Sequence, residues 1–401
     1  IDMSQFFGYF KPIAEFMGTI DGRGYSINNL KINSGESMYA ALIEYMYGNT
    51  SAISDITFNN PVIEASSSCF DAGVVVGMLT EGKIDSVYVY DAKIIGDTDF
   101  MGEAGGIAGS AMVYATIKAC AVNDITIDVP SGYNIGGIVG TTRTATTLSA
   151  CAATGTIIGG KAIGGIVGAA GNDVNVLNCH VDMNIEGNYE IGGIAGTADR
   201  GLISNCYSQG TLKANSSDFS GYCNVGGIVG YLSSQWDDTN TDAVISNCVA
   251  AIDAIELPEG ASTQTVDRIV GRTIADEYYY DGEEPRTEKG LSNNYAVSTL
   301  TIAGATVSGT DATSTTGADV AADGLTTEFF TTTLGWQFGT DVDTPWKEST
   351  ELPLLYFEEK ATGLTLDLTT GEGNISDMFI LTATVEGASA KRVVFTSSDE
   401  N

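Results

Sequence analysis

Short stretches of alternating apolar and polar residues dominate the middle of the chain. After Cys179, the apolar residues Val181, Met183 and Ile185 are separated by single polar residues. A period of two is typical of a strand with one buried face, and no helical period of 3.6 residues competes with it in this region. The pattern therefore predicts many short β-strands joined by turns.

Two short blocks recur along the chain. The first reads GGI(A/V)G in five copies, which end at Gly109, Gly140, Gly168, Gly196 and Gly230. Weaker copies end at Glu44, Gly77 and Gly271, so that successive copies end 28 to 41 residues apart. The second block follows the first and reads ISNC in its clearest copies, from Ile203 and Ile245. Self-similarity at this spacing is the signature of a repeat architecture.

A repeat of about thirty residues is too small to bury its own apolar face, so stacking of the repeats is favoured. We therefore predict an all-β fold: a parallel β-solenoid of about eight turns, with an expected right-handed coil and a cap at each end. At about 4.8 Å per turn, the solenoid would be about 40 Å long. Extra residues in the longer repeats are expected in loops.

The first two glycines of each pentad are predicted to be structural. They suit a corner where the backbone either takes a positive φ or closely approaches a neighbouring turn, and alanine there should be costly. The ten residues concerned are Gly105, Gly106, Gly136, Gly137, Gly164, Gly165, Gly192, Gly193, Gly226 and Gly227.

Two further columns of the repeat are predicted to be structural. Five of the seven cysteines share one position and are expected to be buried free thiols: Cys120, Cys151, Cys179, Cys206 and Cys248. Their positions form a line, which does not suit a tetrahedral metal site. The residues before three of them could stack their amides in a ladder along a bend: Asn178, Asn205 and Asn247.

Charge and histidine content exclude several classes of function. The chain has 51 acidic and 18 basic residues, a net charge of −33, which disfavours nucleic acids and anionic membranes as partners. Its single histidine, His180, excludes chemistry that needs several imidazoles. Because Cys179 is expected to point inward, His180 is expected to point outward into solvent. No apolar run is long enough to span a bilayer.

One acidic stretch is a candidate calcium loop. Asp238, Asn240 and Asp242 match the first half of the calcium-loop pattern. Ala243 stands where the pattern has glycine, and Val249 stands where it has the bidentate glutamate. The alternative is a solvated acidic loop, and no other cofactor is expected.

The paired blocks resemble the GLUG-motif repeats of bacterial surface proteins. The stretch GTIDGRGYSINNLKI, from Gly18, is similar to the first turn that precedes such repeats, and the resemblance covers about residues 13–300. From Ala361 the sequence resembles the opening half of a bacterial group-2 Ig-like domain of the intimin and invasin type. These resemblances imply an extracellular location on a bacterial cell surface rather than a defined reaction.

The predicted organisation has four parts. Residues 1–30 form the N-terminal cap and first turn, 31–300 the solenoid, 301–360 the C-terminal cap, and 361–401 a truncated Ig-like domain. The residues expected in the two caps are the aromatics Phe6, Phe7, Tyr9, Phe10 and Phe16 at one end, and a cluster of aromatic and leucine residues at the other: Phe329, Phe330, Leu334, Trp336, Phe338, Trp346, Leu354, Leu355 and Tyr356. We expect the chain to continue beyond Asn401; strand donation by another chain is the alternative.

The preferred functional hypothesis is a non-enzymatic, adhesin-like scaffold of a secreted cell-surface protein, with a host or environmental glycan or protein as ligand. The first alternative is a carbohydrate-active or glycan-binding β-helix. An enzyme of that kind requires a groove with two carboxyl groups within about 10 Å on adjacent turns, one of them with a raised pKa. The second alternative is a subunit of an extracellular filament.

Overall fold

The computed structural model describes residues 1–5, 8–215, 223–233, 243–273 and 290–358, and the backbone of two later strands, Gly363–Leu366 and Ala383–Glu386. The chain forms two compact units, Ile1–Trp336 and Gln337–Asn401. The boundary between them falls inside the predicted C-terminal cap of residues 301–360, so that region is shared between the two units.

The first unit is a parallel β-solenoid, which confirms the predicted fold class. Among the described residues, one face of the solenoid is a sheet of nine strands, all parallel, in which each strand pairs with its equivalent in the next repeat. These strands are Ile13–Phe16, Ile43–Tyr47, Val76–Thr80, Ala108–Met112, Val139–Arg143, Val167–Ala170, Ala195–Ala198, Val229–Leu232 and Val270–Thr273.

In the described part of the chain, the rest of each turn belongs to a second, strongly bent sheet of 29 strands. Its strands are Thr19–Asn28, Lys31–Asn33, Tyr39–Ala40, Ala52–Asn59, Val62–Ala65, Asp71–Gly73, Lys83–Tyr90, Lys93–Gly96, Glu103–Gly105, Thr116–Lys118, Ala121–Gly136, Thr147–Ser149, Ala152–Gly164, Val174–Leu177, His180–Gly187, Tyr189–Gly192, Gly201–Ser204, Tyr207–Ala214, Val225–Gly226, Val244–Ser246, Val249–Ala250, Ala254–Glu256, Val266–Asp267, Leu291–Ser292, Tyr295–Val297, Thr301–Ile302, Ala305–Thr306, Thr310–Asp311 and Gly317–Val320. All pairings are parallel except those of Ala305–Thr306 and Thr310–Asp311.

Equivalent apolar residues stack in columns through the interior. Ile157 pairs with Ile127 on one side and with Ile185 on the other, and all three are buried. Because a two-residue period would move to the opposite face on a one-residue slip, this burial fixes the register of each turn. The longer strand Ala121–Gly136 accommodates its extra residues as β-bulges against Ala152–Gly164.

The last repeat ends the solenoid with a buried arginine. Arg268 stands where other repeats have the second glycine, and it has no exposed surface. Its guanidinium donates to the carbonyl oxygens of Thr316 at 3.0 Å and Gly317 at 2.9 Å, and pairs with Asp319 at 2.6 Å. The polar segment 309–320 therefore covers the last turn and satisfies its cation.

The residues predicted to form one C-terminal cap belong to two different units of the structure. Residues 322–336, here called the C-terminal strap, contain a 3₁₀ turn, Ala322–Gly324, and a π-helical turn, Phe329–Thr333. Phe329 packs edge-on against Tyr295, with ring centroids 5.1 Å apart, and Trp336 stacks on Tyr207 at 6.3 Å. Tyr207 and Tyr295 lie on different turns, so the strap runs along the outer wall instead of covering the end.

The N-terminal segment pairs with the first turn. Asp2 forms a parallel bridge with Asn28, and Phe10 and Phe16 pack against the core. Tyr9 is half exposed, and its hydroxyl donates to Glu64 Oε2 at 2.7 Å. The predicted cap residues Phe6 and Phe7 lie outside the described residues.

The second unit contains two antiparallel strand pairs among its described residues. Trp346–Lys347 pairs with Leu354–Leu355, and Gly363–Leu366 pairs with Ala383–Glu386. The rest of the predicted Ig-like segment, 361–401, lies outside the described residues. In the part of the chain that the structure describes, none of the helices has the length and apolarity needed to cross a membrane.

Candidate functional site

The pentad glycines form a thin edge where the two sheets meet. None of the ten predicted glycines lies in the left-handed region, so close approach, not positive φ, is the reason for glycine. A Cβ on Gly164 would lie 2.7 Å from both the Cα of Ala195 and the backbone N of Gly196 in the next turn. A Cβ on Gly165 would overlap the carbonyl oxygen of Gly193 and lie 2.7 Å from a methyl group of Val181. Backbone therefore packs on backbone here, with no space for side chains.

The five predicted cysteines occupy equivalent positions on successive turns. All are buried and free, and each thiol points to the carbonyl oxygen two residues earlier, at 3.1 Å for Cys120 and 3.2 Å for Cys179 and Cys206. The amide N of Cys179 also donates to Cys206 Sγ at 3.4 Å. The thiol thus serves as a small apolar group that also links adjacent turns.

The residue at the same position on the turn after Cys248 supports this role. Asn294 occupies the position equivalent to Cys248 and is fully buried. Its Oδ1 accepts from the amide N of Cys248 at 3.1 Å, and its Nδ2 donates to the carbonyl oxygen of Ile245 at 2.9 Å. An amide thereby makes the same kind of link between turns as a thiol.

Burial favours the protonated form of most of the thiols. Desolvation raises the pKa of Cys69 to about 12, and it raises the pKa of Cys120, Cys179 and Cys248 well above the ordinary thiol value. Since the thiolate is the reactive form, these four cysteines are poor nucleophiles in the folded chain. At Cys151 and Cys206, hydrogen bonds with the neighbouring cysteines of the column lower the pKa, against the opposing effect of burial.

The predicted asparagines lie at a bend before this column. Asn178, Asn205 and Asn247 have φ between 53° and 56°, the left-handed region that asparagine tolerates better than most residues. Asn205 Nδ2 donates to Asn178 Oδ1 at 3.1 Å, and Asn293 Nδ2 donates to Asn247 Oδ1 at 2.8 Å. These side chains link turns along the bend.

The prediction that His180 is a solvated residue is wrong. His180 is 4% exposed, and its ring stacks on Tyr207 with centroids 4.7 Å apart and an angle of 8° between the planes. Trp336 of the strap stacks on the other side of Tyr207 and donates from Nε1 to the carbonyl oxygen of Asn247 at 3.0 Å. His180 therefore lies outside the apolar core, but it is buried against the ring of Tyr207.

A pair of acidic residues lies at the thin edge without having been predicted. Asp71 and Glu103 are register partners on adjacent turns, and Asp71 is 9% exposed. Burial, and then the neighbouring Glu103, raise the pKa of Asp71 to about 8. Asn134 on the following turn donates from Nδ2 to Glu103 Oε1 at 2.9 Å.

A signal for this pair was present in the sequence. Asp71 and Glu103 both stand two residues before the first glycine of their pentads, where a later repeat has Glu190. Glu190, however, forms an ion pair with Lys161 at 3.2 Å. Aligning the repeats by their glycines would have brought the acidic residues together, but not shown which of them lack a basic partner.

An exposed row of apolar residues lies beside the acidic pair. Phe70 is 61% exposed and Tyr133 37% exposed, and hydrogen bonds between successive strands place them two turns apart. At about 4.8 Å per turn, this separation is about 10 Å. Met38 and Met101, each more than half exposed, extend the row. We call these four residues the exposed apolar row.

The candidate calcium residues Asp238, Asn240 and Asp242 lie outside the described residues. Within the described residues, there is no group of three or more histidine, cysteine, aspartate or glutamate side chains arranged to hold a metal ion.

The fold and its repeated blocks define a β-solenoid whose turns close at a glycine edge. The GLUG motif matches residues 187–213, which include the pentad of Gly192 to Gly196 and the ISNC block. The chain is also 28% identical over 148 residues to halomucin of Haloquadratum walsbyi; the match covers 37% of this chain and 2% of halomucin. None of the solved structures compared with the chain matches it. One repeat of the chain thus matches the GLUG motif, and the chain resembles a small part of a much longer protein.

Proposed function

We propose that the chain is a non-enzymatic scaffold segment of a secreted cell-surface protein, which attaches to an extended, uncharged or cationic glycan through the exposed apolar row. The GLUG motif and the similarity to halomucin support a surface location. In the proposal, the second unit, with the Ig-like sequence, extends the attachment segment.

The exposed apolar row is the observation that carries the proposal. Phe70 and Tyr133 expose much of their surface on a backbone that hydrogen bonds hold in register. Aromatic rings stack on the apolar faces of sugars, and a spacing of about 10 Å is close to the length of a disaccharide in an extended glycan. The net charge of −33 disfavours polyanionic glycans as ligands.

The acidic pair gives the enzyme alternative one of its requirements, two carboxyl groups on adjacent turns with a raised pKa. A general acid must also contact the glycosidic oxygen of its substrate. Asp71 is nine-tenths buried. This burial favours a structural role for the pair over catalysis.

Glycan binding tests the proposal directly. The full chain is applied to a panel of extended glycans, and binding and the release of reducing ends are measured together. We expect saturable binding without turnover, and at least a tenfold loss of affinity in a Phe70→Ala/Tyr133→Ala variant. Tyr25→Ala is the matched control because Tyr25 is 75% exposed but lies outside the row.

Other results would favour the alternatives. Release of reducing ends that is lost in Asp71→Asn would support the enzyme, and concentration-dependent polymers in sedimentation experiments would support the filament subunit. Equal binding by the row variant and the wild type would remove the row as the attachment site.

A further inference from the structure

The two aromatic residues of the exposed apolar row belong to a longer column on the outer wall. Its members stand at the same position of five successive turns: Phe70, Gly102, Tyr133, Lys161 and Tyr189. The amide N of Tyr133 donates to the carbonyl oxygen of Gly102 at 2.9 Å, so the backbone holds the column in register. Equivalent residues of stacked parallel strands point to the same side of a sheet. We call these five residues the ring column.

The rings of this column recur at every second turn. Phe70, Tyr133 and Tyr189 alternate with Gly102 and Lys161, and each of the three rings is at least partly exposed. At about 4.8 Å per turn, successive rings are about 10 Å apart, and the whole column is about 19 Å long. In an extended glycan, every second sugar unit presents the same face, at a repeat of about 10 Å. The column therefore has the period of such a chain.

Lys161 extends the column without adding net charge. Its Nζ lies 3.2 Å from Oε1 of Glu190, and this ion pair neutralises the ammonium group. The same Nζ lies 5.2 Å from the centroid of the Tyr189 ring, a cation–π contact that helps to hold the ring in place. The five residues of the column include no acidic side chain, so a cationic sugar gains no ion pair from them.

The size of the column favours a linear polymer over a protein as its partner. A stable protein interface buries about 800 Å² on each side, which is far more than a row of side chains one residue wide can supply. A linear glycan is one sugar unit wide. Five units of an extended glycan would place the first, third and fifth on the three rings.

We infer that the ring column binds an uncharged, extended glycan over about five sugar units, with Tyr189 as a contact beyond the exposed apolar row. The inference rests on the proposed function and adds the charge class and the length of the ligand. Aromatic rings stack on the apolar faces of sugars, and the net charge of −33 repels polyanionic chains.

Calorimetry with oligosaccharides of increasing length tests the inference on the full chain. The probes are β-1,4-linked gluco-, manno- and xylo-oligosaccharides of two to seven units. In at least one of these series, we expect the affinity to rise up to about five units and then to stay constant. Cationic chitosan oligomers and anionic oligogalacturonides of the same length should bind at least tenfold more weakly.

Tyr189→Ala tests the far end of the column. It should weaken binding of the hexasaccharide about tenfold but change binding of the disaccharide less than twofold, because Phe70 and Tyr133 still form a complete disaccharide site. A general loss of structure would weaken both ligands alike. Tyr189→Leu keeps an apolar side chain at this position and should show the same dependence on length if Tyr189→Ala folds poorly. Tyr25→Ala, outside the column, should bind every oligomer as the wild type does.

The outcomes separate this inference from the proposed function. If neither oligomers nor polymeric glycans bind, the proposed attachment to glycans fails and the inference fails with it. If glycans bind but the affinity stops rising at two units, or if Tyr189→Ala and Tyr25→Ala bind the hexasaccharide equally, the attachment site stands and the ring column is not its track. Tighter binding of chitosan oligomers than of the uncharged series would overturn the inferred charge class.

Discussion

Replacement of Gly165 by alanine should destabilise the solenoid severely. The new Cβ would overlap the carbonyl oxygen of Gly193 and lie 2.7 and 2.9 Å from the two methyl groups of Val181, where real Cβ contacts shorter than 3.0 Å essentially never occur. The carbonyl oxygen of Gly193 cannot move away freely, because it accepts from the amide N of Gly165 at 3.0 Å. The two turns must therefore separate.

The separation of the two turns determines how much unfolding free energy is lost. It would break the bond from Gly165 and weaken the next one, from the amide N of Ile166 to the carbonyl oxygen of Ile194 at 3.0 Å. Each buried backbone group left without a partner costs about 1–3 kcal/mol. We expect a loss of about 3–6 kcal/mol, a large part of the roughly 5–15 kcal/mol that stabilises a typical domain.

Urea unfolding followed by circular dichroism measures the effect, with Gly324→Ala as the matched control. A Cβ on Gly324 would lie 3.5 Å from the nearest atom, a methyl group of Val320, and Gly324 is not in the left-handed region. Gly324→Ala should change the unfolding free energy by less than about 1 kcal/mol, with stabilisation expected from the stiffer unfolded chain. The reasoning about backbone packing fails if Gly165→Ala is within about 1 kcal/mol of this control.

Three further predictions follow from burial. The thiol of Cys69, with its pKa raised to about 12, should not react with a thiol reagent at pH 8 until urea unfolds the chain, and rapid reaction in the native state would contradict the burial of Cys69. The free energy of unfolding should fall as pH rises from about 4 to 8, by up to about 1.4 kcal/mol per pH unit, because folded Asp71 keeps a proton that the unfolded chain releases. Urea midpoints at pH 5 and pH 8 measure that slope, which should disappear in Asp71→Asn; an unchanged slope would assign it to other groups. Trp336→Ala should lower the unfolding free energy by about 3–5 kcal/mol, because it removes the ring that stacks on Tyr207 and the hydrogen bond to the carbonyl oxygen of Asn247. An unfolding midpoint in urea equal to that of the wild type would show that the strap does not stabilise the outer wall.

The exposed surface was much less predictable from sequence than the interior. Phe70 and Tyr133 stand in different repeats, in a column that also contains Gly102, Lys161 and Tyr189. A two-residue period says which side of a strand a residue occupies, but it does not say which neighbouring loop covers it. His180 shows the same difficulty, because its ring stacks on Tyr207 of the next turn, and Tyr207 in turn packs against Trp336, far away in the chain.

The sequence by itself determined the repeat, the parallel stacking and the interior columns. Recurrence of the glycine and cysteine blocks leaves one economical arrangement, in which each repeat buries its apolar face against the next. The tertiary structure decided why the glycines are required, because negative φ values and backbone contacts are properties of two sheets in place. It also decided that Asp71 and Glu103 are register partners on adjacent turns and that the strap packs on Tyr207, the ring that stacks on His180. The physical reason is that local patterns fix which face of a strand is apolar, whereas electrostatic pairing and surface cover depend on residues that only folding brings together.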